Sequence, residues 1–287
     1  MKMPVKVKFA TKTGFCFGVK RAVEMAEAAL KRKGPICSLG SLIHNEQVVT
    51  ALAAKGLRIA KNVSDVKGGT CVISSHGISP VIAEVISAKG VKIIDTTCPF
   101  VLRAQKIAKC KSLAGYRVII VGDEKHPEIK ALVGFVSTLA IVVKDGKEAR
   151  ALKLDNKAKY IVIAQTTQDR ANFAGAVKEI SAKRTKDLKI FNTICRDAGE
   201  RQGAAMRLAR TVDAIFVVGG RSSANTRRLY EVSKRKAKNA HLIETEDEVR
   251  KSWLKGVSFV GITSGASTPE WVVNKVVRKI LEKGAVH

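Results

Sequence analysis

Short apolar runs alternate with longer amphipathic stretches along most of the chain. Thr70-Ser74, Lys92-Asp95, Arg117-Val121, Ala140-Val143, Lys159-Ala164, Ala214-Val218 and Ser258-Gly261 read as strands, being short, β-branched and bounded by glycine or polar clusters. Between them, 19-32, 80-89, 99-114, 169-184, 200-211, 226-237 and 269-282 carry the spacing of helices with one apolar face. Strand followed by helix, repeated, is the pattern of parallel α/β units, and no low-complexity linker interrupts it.

Three cysteines stand where loops turn into helices. In Gly14-Phe15-Cys16-Phe17-Gly18-Val19, apolar residues recur helically from Val19 on, which makes Cys16 the last residue of a loop. In Asp95-Thr96-Thr97-Cys98-Pro99, the proline reads as the first residue of a helix that Gly115 ends. In Asn192-Thr193-Ile194-Cys195, a helical pattern of alanines follows the cysteine. Backbone amides at a helix start stabilise a thiolate, the form that binds metal or attacks an electrophile. A buried structural thiol in a tight turn is the alternative for each one separately. Cys37, Cys71 and Cys110 read as core or incidental, and no CxxC occurs.

The expected strand ends are unusually polar. Ser74-Ser75-His76-Gly77, Gly122-Asp123-Glu124-Lys125-His126-Pro127-Glu128, Gln165-Thr166-Thr167, Gly219-Gly220-Arg221-Ser222-Ser223-Ala224-Asn225 and Thr263-Ser264-Gly265-Ala266-Ser267 all fall there. Ligands of parallel sheets bind beyond the carboxyl ends of the strands, and small donors on glycine-rich turns suit an anion such as a phosphate. Helix capping explains any one of these turns, while five together favour a shared polar site. His44, His76 and His126 lie in such loops and can pair with an anion or carry protons near neutral pH. Glu128 is either a solvated acid at a helix start or a general acid whose pKa burial has raised.

Composition narrows the setting. A chain of 287 residues with 46% hydrophobic content can bury a sizeable core. It shows no apolar run of membrane-spanning length and no apolar stretch after its basic start, so a cytoplasmic protein is expected. Six cysteines are then thiols and metal ligands rather than disulfides. A net charge of +27 implies anionic partners, yet the charge is dispersed and aromatics make up only 5%, few for a base-stacking surface. There is neither GxGxxG nor GxxxxGK[ST], so a redox role needs electrons from outside.

Taken in order, Gly14-Val23, Leu42-Asn45, Ser75-Gly77, Asp95-Pro99, His126-Glu128, Gln165-Thr167, Thr193-Cys195, Asn225 and Gly265-Ser267 resemble the motifs of the 4-hydroxy-3-methylbut-2-enyl diphosphate reductases, the IspH or LytB family. The resemblance covers essentially the whole chain. It implies three similar small α/β domains with mainly parallel sheets, in a pseudo-threefold trefoil around a central cluster and substrate cavity. Their expected limits are 17-97, 98-193 and 194-282, the last completed by 1-16, with 283-287 as a tail. It also implies a 4Fe-4S cluster held by Cys16, Cys98 and Cys195. The diphosphate of the substrate would be held by His44, His76, Ser223, Asn225 and Ser267, with position 224 among the binding residues. Glu128 would deliver protons to the departing hydroxyl, with His126 beside it and Thr167 ordering the hydroxyl and a water. The electron donor would be an external ferredoxin or flavodoxin, and acidic carriers suit a cationic surface.

Three positions depart from the family pattern. Ala224 stands where a serine is usual, Ala131 where a glycine is usual, and Arg196-Asp197-Ala198-Gly199-Glu200 replaces a Tyr-Ala-Thr segment before Arg201-Gln202. These changes and the charge motivate one alternative, a basic RNA-binding protein on the same scaffold with lost or altered redox activity. A zinc hydrolase with a Cys/His set is a second alternative, which nothing in the spacing selects.

Overall fold

A computed structural model of the chain describes residues 5–32 and 34–284. The first part runs β1 (Lys6–Phe9), α1 (Phe17–Leu30), β2 (Ile36–Leu39), α2 (Glu46–Ala54), β3 (Arg58–Ala60), β4 (Thr70–Ile73), α3 (Pro80–Ala88) and β5 (Lys92–Asp95). There follow α4 (Pro99–Leu113), β6 (Tyr116–Val121), α5 (Pro127–Val133), β7 (Ala140–Val143), α6 (Gly146–Ala151), β8 (Lys159–Ala164), α7 (Arg170–Ser181) and β9 (Asp187–Phe191). The last part is α8 (Arg196–Ala209), β10 (Ala214–Val218), α9 (Ala224–Lys234), β11 (Asn239–Ile243), β12 (Phe259–Ser264) and α10 (Glu270–Gly284).

The strands make three four-stranded sheets in the orders β3-β2-β4-β5, β7-β6-β8-β9 and β1-β12-β10-β11. All pairings are parallel. The three are similar α/β modules: in each, the first strand of the module lies second in the sheet and the third lies beside it. In the last sheet the fourth place is taken by β1, which pairs with β12.

Two compact units result. Among the described residues, one comprises 5–19, Ile43–Val48 and 196–284; the other comprises 20–32, 34–42 and Val49–Cys195. The first holds the β10 sheet, and the second holds the other two.

Inner strands are apolar on both faces because helices cover both. Along β10, Ala214, Phe216 and Val218 join the core under α10, while Ile215 and Val217 pack on α8 and α9 from the other side. Along β8, Tyr160, Val162 and Ala164 face α7, whereas Ile161 and Ile163 face α4 and α5. Burying a side chain such as Phe216 stabilises the fold by roughly 1.5–3 kcal/mol. Such strands form a rigid platform whose carboxyl ends carry the polar loops.

The helix starts follow the sequence signals closely. Pro80, Pro99 and Pro127 each occupy a first helical position, after Ser79, Cys98 and His126 respectively. The structure departs from expectation at several ends. Helix α8 begins at Arg196 rather than near 200, and β12 runs three residues beyond Gly261 to Ser264. Helix α10 continues through Gly284, within the expected tail, of which 285–287 lie outside the described residues. No helix among the described residues is long and apolar enough to cross a membrane.

Candidate active site

In the unit that contains β6 and β8, a carboxyl group is buried at the strand ends. Glu128, the second residue of α5, is only 2% exposed. Its Oε1 accepts the Thr166 N–H and its Oε2 accepts the Thr166 hydroxyl, both at 2.7 Å. Burial dominates its titration and pushes the pKa up to about 7, against the two Thr166 bonds, which pull it down. Glu128 is therefore no solvated helix-start acid, and near neutral pH it both holds and releases a proton.

Its neighbours are fixed by the same turns. His126 caps α5: its Nδ1 accepts the Glu128 N–H at 3.2 Å, which leaves the ring proton to Nε2. The His126 ring meets that of His76 edge to face, with centroids 5.2 Å apart. Thr167 Oγ1 accepts from Gln165 Nε2 at 3.3 Å. The Thr166 carbonyl accepts the Cys195 N–H at 2.8 Å, and the Ser75 carbonyl, one residue before His76, accepts the Cys98 N–H at 3.0 Å. This unit thus gathers Glu128 and His126 at the start of α5 beside the loops of Thr167 and His76, and those two loops are hydrogen-bonded to Cys195 and Cys98. Thr166, which holds the carboxyl, escaped the sequence reading; the paired threonines of Gln165-Thr166-Thr167 were the available signal.

The other unit gathers anion-binding candidates at the ends of β10 and β12. Ser267 donates its hydroxyl to the His44 carbonyl at 3.0 Å. Gly220 lies against the same carbonyl so closely that a Cβ would come within 2.7 Å of it, so the loop after β10 fits there only with glycine. Ser223 caps α9 by accepting the Thr226 N–H, and Ala224 is the first residue of that helix. Asn225 follows, 4% exposed, and neither its Oδ1 nor its Nδ2 has a hydrogen-bond partner among the described residues. A buried amide with both ends unmet is costly by itself, and a polar ligand would offset that cost. Burial lowers the pKa of His44 and Arg227 lowers it further. An arriving anion opposes both effects.

Cys16 belongs to this second set. Its N–H donates to the Ala266 carbonyl at 3.0 Å, and the Val19 N–H points at its Sγ at 3.4 Å. Burial pushes the thiol pKa up, the Val19 contact lowers it, and Asp197 raises it while Arg201 lowers it. Cys16, Cys98 and Cys195 immediately precede α1, α4 and α8, each is half-buried, and no disulfide joins any of the six cysteines. By contrast, Cys37 and Cys71 face each other across β2 and β4 inside a sheet, and Cys110 is exposed on α4. Half-buried thiols at helix starts, with the Val19 amide hydrogen directed at the Cys16 sulfur, fit thiolate ligation of iron; the other three cysteines do not.

These features define an α/β protein with ligand-type thiols, one buried carboxylic acid of near-neutral pKa and unmet donors suited to an anion. A family model described as LytB protein matches residues 7–281, and the chain belongs to that family. It is 42% identical over 278 residues to the 4-hydroxy-3-methylbut-2-enyl diphosphate reductase of Dehalococcoides mccartyi strain CBDB1, covering 95% of this chain and 96% of the relative. With the enzyme of the same name from Geobacter metallireducens the identity is 41%, over 97% of this chain and 98% of the relative. Among solved structures, the E-1-hydroxy-2-methyl-but-2-enyl-4-diphosphate reductase from Plasmodium falciparum superposes with a TM-score of 0.90 at 29% identity, covering 96% of this chain and 87% of that one. A second, described as the terminal enzyme of the non-mevalonate pathway, gives 0.69 at 38% identity over 97% and 99% of the two chains. The RNA-binding alternative gains no support from these relatives.

Proposed function

We propose that the chain carries out the reaction its relatives are named for. 4-Hydroxy-3-methylbut-2-enyl diphosphate takes up two electrons and two protons, its allylic C–O bond breaks, a C–H bond forms, and the products are water and isopentenyl or dimethylallyl diphosphate. The observation that carries this reading is Glu128: a buried carboxyl with a pKa near 7 supplies a proton to a departing hydroxyl at neutral pH. Thr166 holds both carboxyl oxygens, so the donor keeps one orientation. His126 and Thr167 stand on the adjoining loops to orient the hydroxyl and a water. His44, His76, Ser223, Asn225 and Ser267 bind the diphosphate, and position 224 contributes only the backbone of a helix start, because Ala224 lacks the hydroxyl usual there.

Cys16, Cys98 and Cys195 are the ligands of a 4Fe-4S cluster in this reading. A bound cluster would supply one-electron transfer and Lewis-acidic iron. An external carrier such as ferredoxin or flavodoxin provides the electrons, and the setting is cytoplasmic. We place the module limits at 17-97, 98-193 and 194-282 with 1-16.

Anaerobic reconstitution tests the reading. Wild-type protein should take up iron and sulfide in nearly equal amounts, show a brown chromophore that dithionite bleaches, and turn over the substrate. Cys98→Ser should lose the chromophore and the activity. Colourless wild-type protein, or full activity in Cys98→Ser, would defeat the proposal.

A further inference from the structure

A chain of alternating charges links the loop carrying Cys16 to the first turns of α8. Lys12, four residues before Cys16, donates to Asp197 Oδ1 at 3.3 Å and also pairs with Glu200. Asp197 Oδ2 accepts from Arg201 Nε at 2.7 Å, and Glu200 Oε1 accepts from Arg196 Nε at 2.7 Å. The order is Arg196, Glu200, Lys12, Asp197, Arg201, with signs alternating throughout.

The two ends of this chain differ. The Arg196 side chain is 84% exposed, so its pair contributes little. The Arg201 side chain is 3% exposed, its Nη1 has no hydrogen-bond partner among the described residues, and Asp197 is its ion-pair partner. A buried guanidinium stripped of its counterion is strongly unfavourable, so removing Asp197 would leave Arg201 uncompensated in this chain. Asp197 thus serves as counterion to Arg201, and with Glu200 it anchors Lys12. Lys12 stands on the loop four residues before Cys16 and Asp197 in the first turn of α8, so the clasp brings opposite charges to the loop that carries Cys16.

We propose that Asp197, clasped between Lys12 and Arg201, is a positioning residue that fixes the Cys16 loop against α8 and sets the electric field at that ligand. The field part rests on the iron–sulfur reading above; the positioning part does not. Removing the negative charge of Asp197 favours the added electron, and removing the positive charge of Lys12 disfavours it. A helix-dipole role for Asp197 alone would leave Lys12 without effect.

The test uses full-length wild type, Asp197→Asn and Lys12→Met. In metal-free protein, amide hydrogen exchange of residues 10–16 should quicken about threefold or more in both variants. In anaerobically loaded protein, a mediated redox titration followed by visible absorbance should show Asp197→Asn reduced more easily than wild type and Lys12→Met less easily. The expected size is up to about tenfold in the one-electron equilibrium, ~59 mV. Shifts of opposite sign with faster exchange uphold the proposal. Shifts of the same sign, no shift, or unchanged exchange overturn it. If wild type takes up no cluster, the cofactor reading fails, and the exchange measurement still decides whether Asp197 ties the loop.

Discussion

The two polar regions at the strand ends solve opposite problems. Around Glu128 the polar atoms are satisfied before any substrate arrives: both carboxyl oxygens are held by Thr166, and His126 is engaged in capping the helix that carries the acid. Around Asn225 a buried amide is left with both atoms unmet, beside a loop that needs glycine at Gly220 to pack on the His44 carbonyl. A proton donor must keep one position and an adjusted pKa, so its surroundings are complete in the free protein. On the proposed reading the second region binds the diphosphate, and such a site gains affinity from donors that no protein group has taken while carrying that cost in the absence of ligand. Changes in the first region should therefore appear in turnover and changes in the second in binding.

The largest expected effect is that of Glu128→Gln. It keeps the shape and the contact with Thr166 but removes the transferable proton, so kcat should fall by about 10²–10⁴ while cluster absorbance and KM stay near wild type. Steady-state kinetics on reconstituted protein check this. Asn225→Ala should raise KM roughly 10- to 150-fold, the equivalent of ~1.5–3 kcal/mol for a hydrogen bond to a charged group, with kcat changed much less. Thermal melting of the same variant should show no loss of stability, because the deleted amide makes no hydrogen bond in the free protein. A lowered Tm there would assign Asn225 to the fold instead of to the substrate. Ala224→Ser should have the smallest effect, lowering KM up to about tenfold by returning one hydroxyl to the start of α9.

Much of this contrast could be read from the sequence, for reasons that also explain what could not. Inner strands such as β6, β8 and β10 are buried on both faces and declare themselves as continuous apolar runs. Strands β1, β3, β5, β7, β9 and β11 lie at sheet edges, and of these only β5 and β7 were legible; the short inner strand β2 was missed as well. Helices α5 and α6 span seven and six residues, too short to show a period. The helix after Cys195 was signalled by its alanines, but its range was read only from near 200, because Asp197 and Glu200 in its first turns are held by Lys12, far away in sequence. The helix-start cysteines were legible because proline and glycine punctuate the chain around Cys16 and Cys98. The state of Glu128 was not, since burial by a neighbouring strand end leaves no mark on a Pro-Glu dipeptide.

The pH dependence of kcat/KM tests the central claim most directly. Burial raises the Glu128 pKa from its usual 4.5 to about 7 in the free protein, so the carboxyl carries its proton below that pH and loses it above. The kcat/KM of wild type should therefore be highest on the acid side and fall about tenfold per unit above pH 7, and the residual kcat/KM of Glu128→Gln should lack that limb. An identical fall in both proteins would contradict the account, because the titrating proton donor would then be some group other than Glu128.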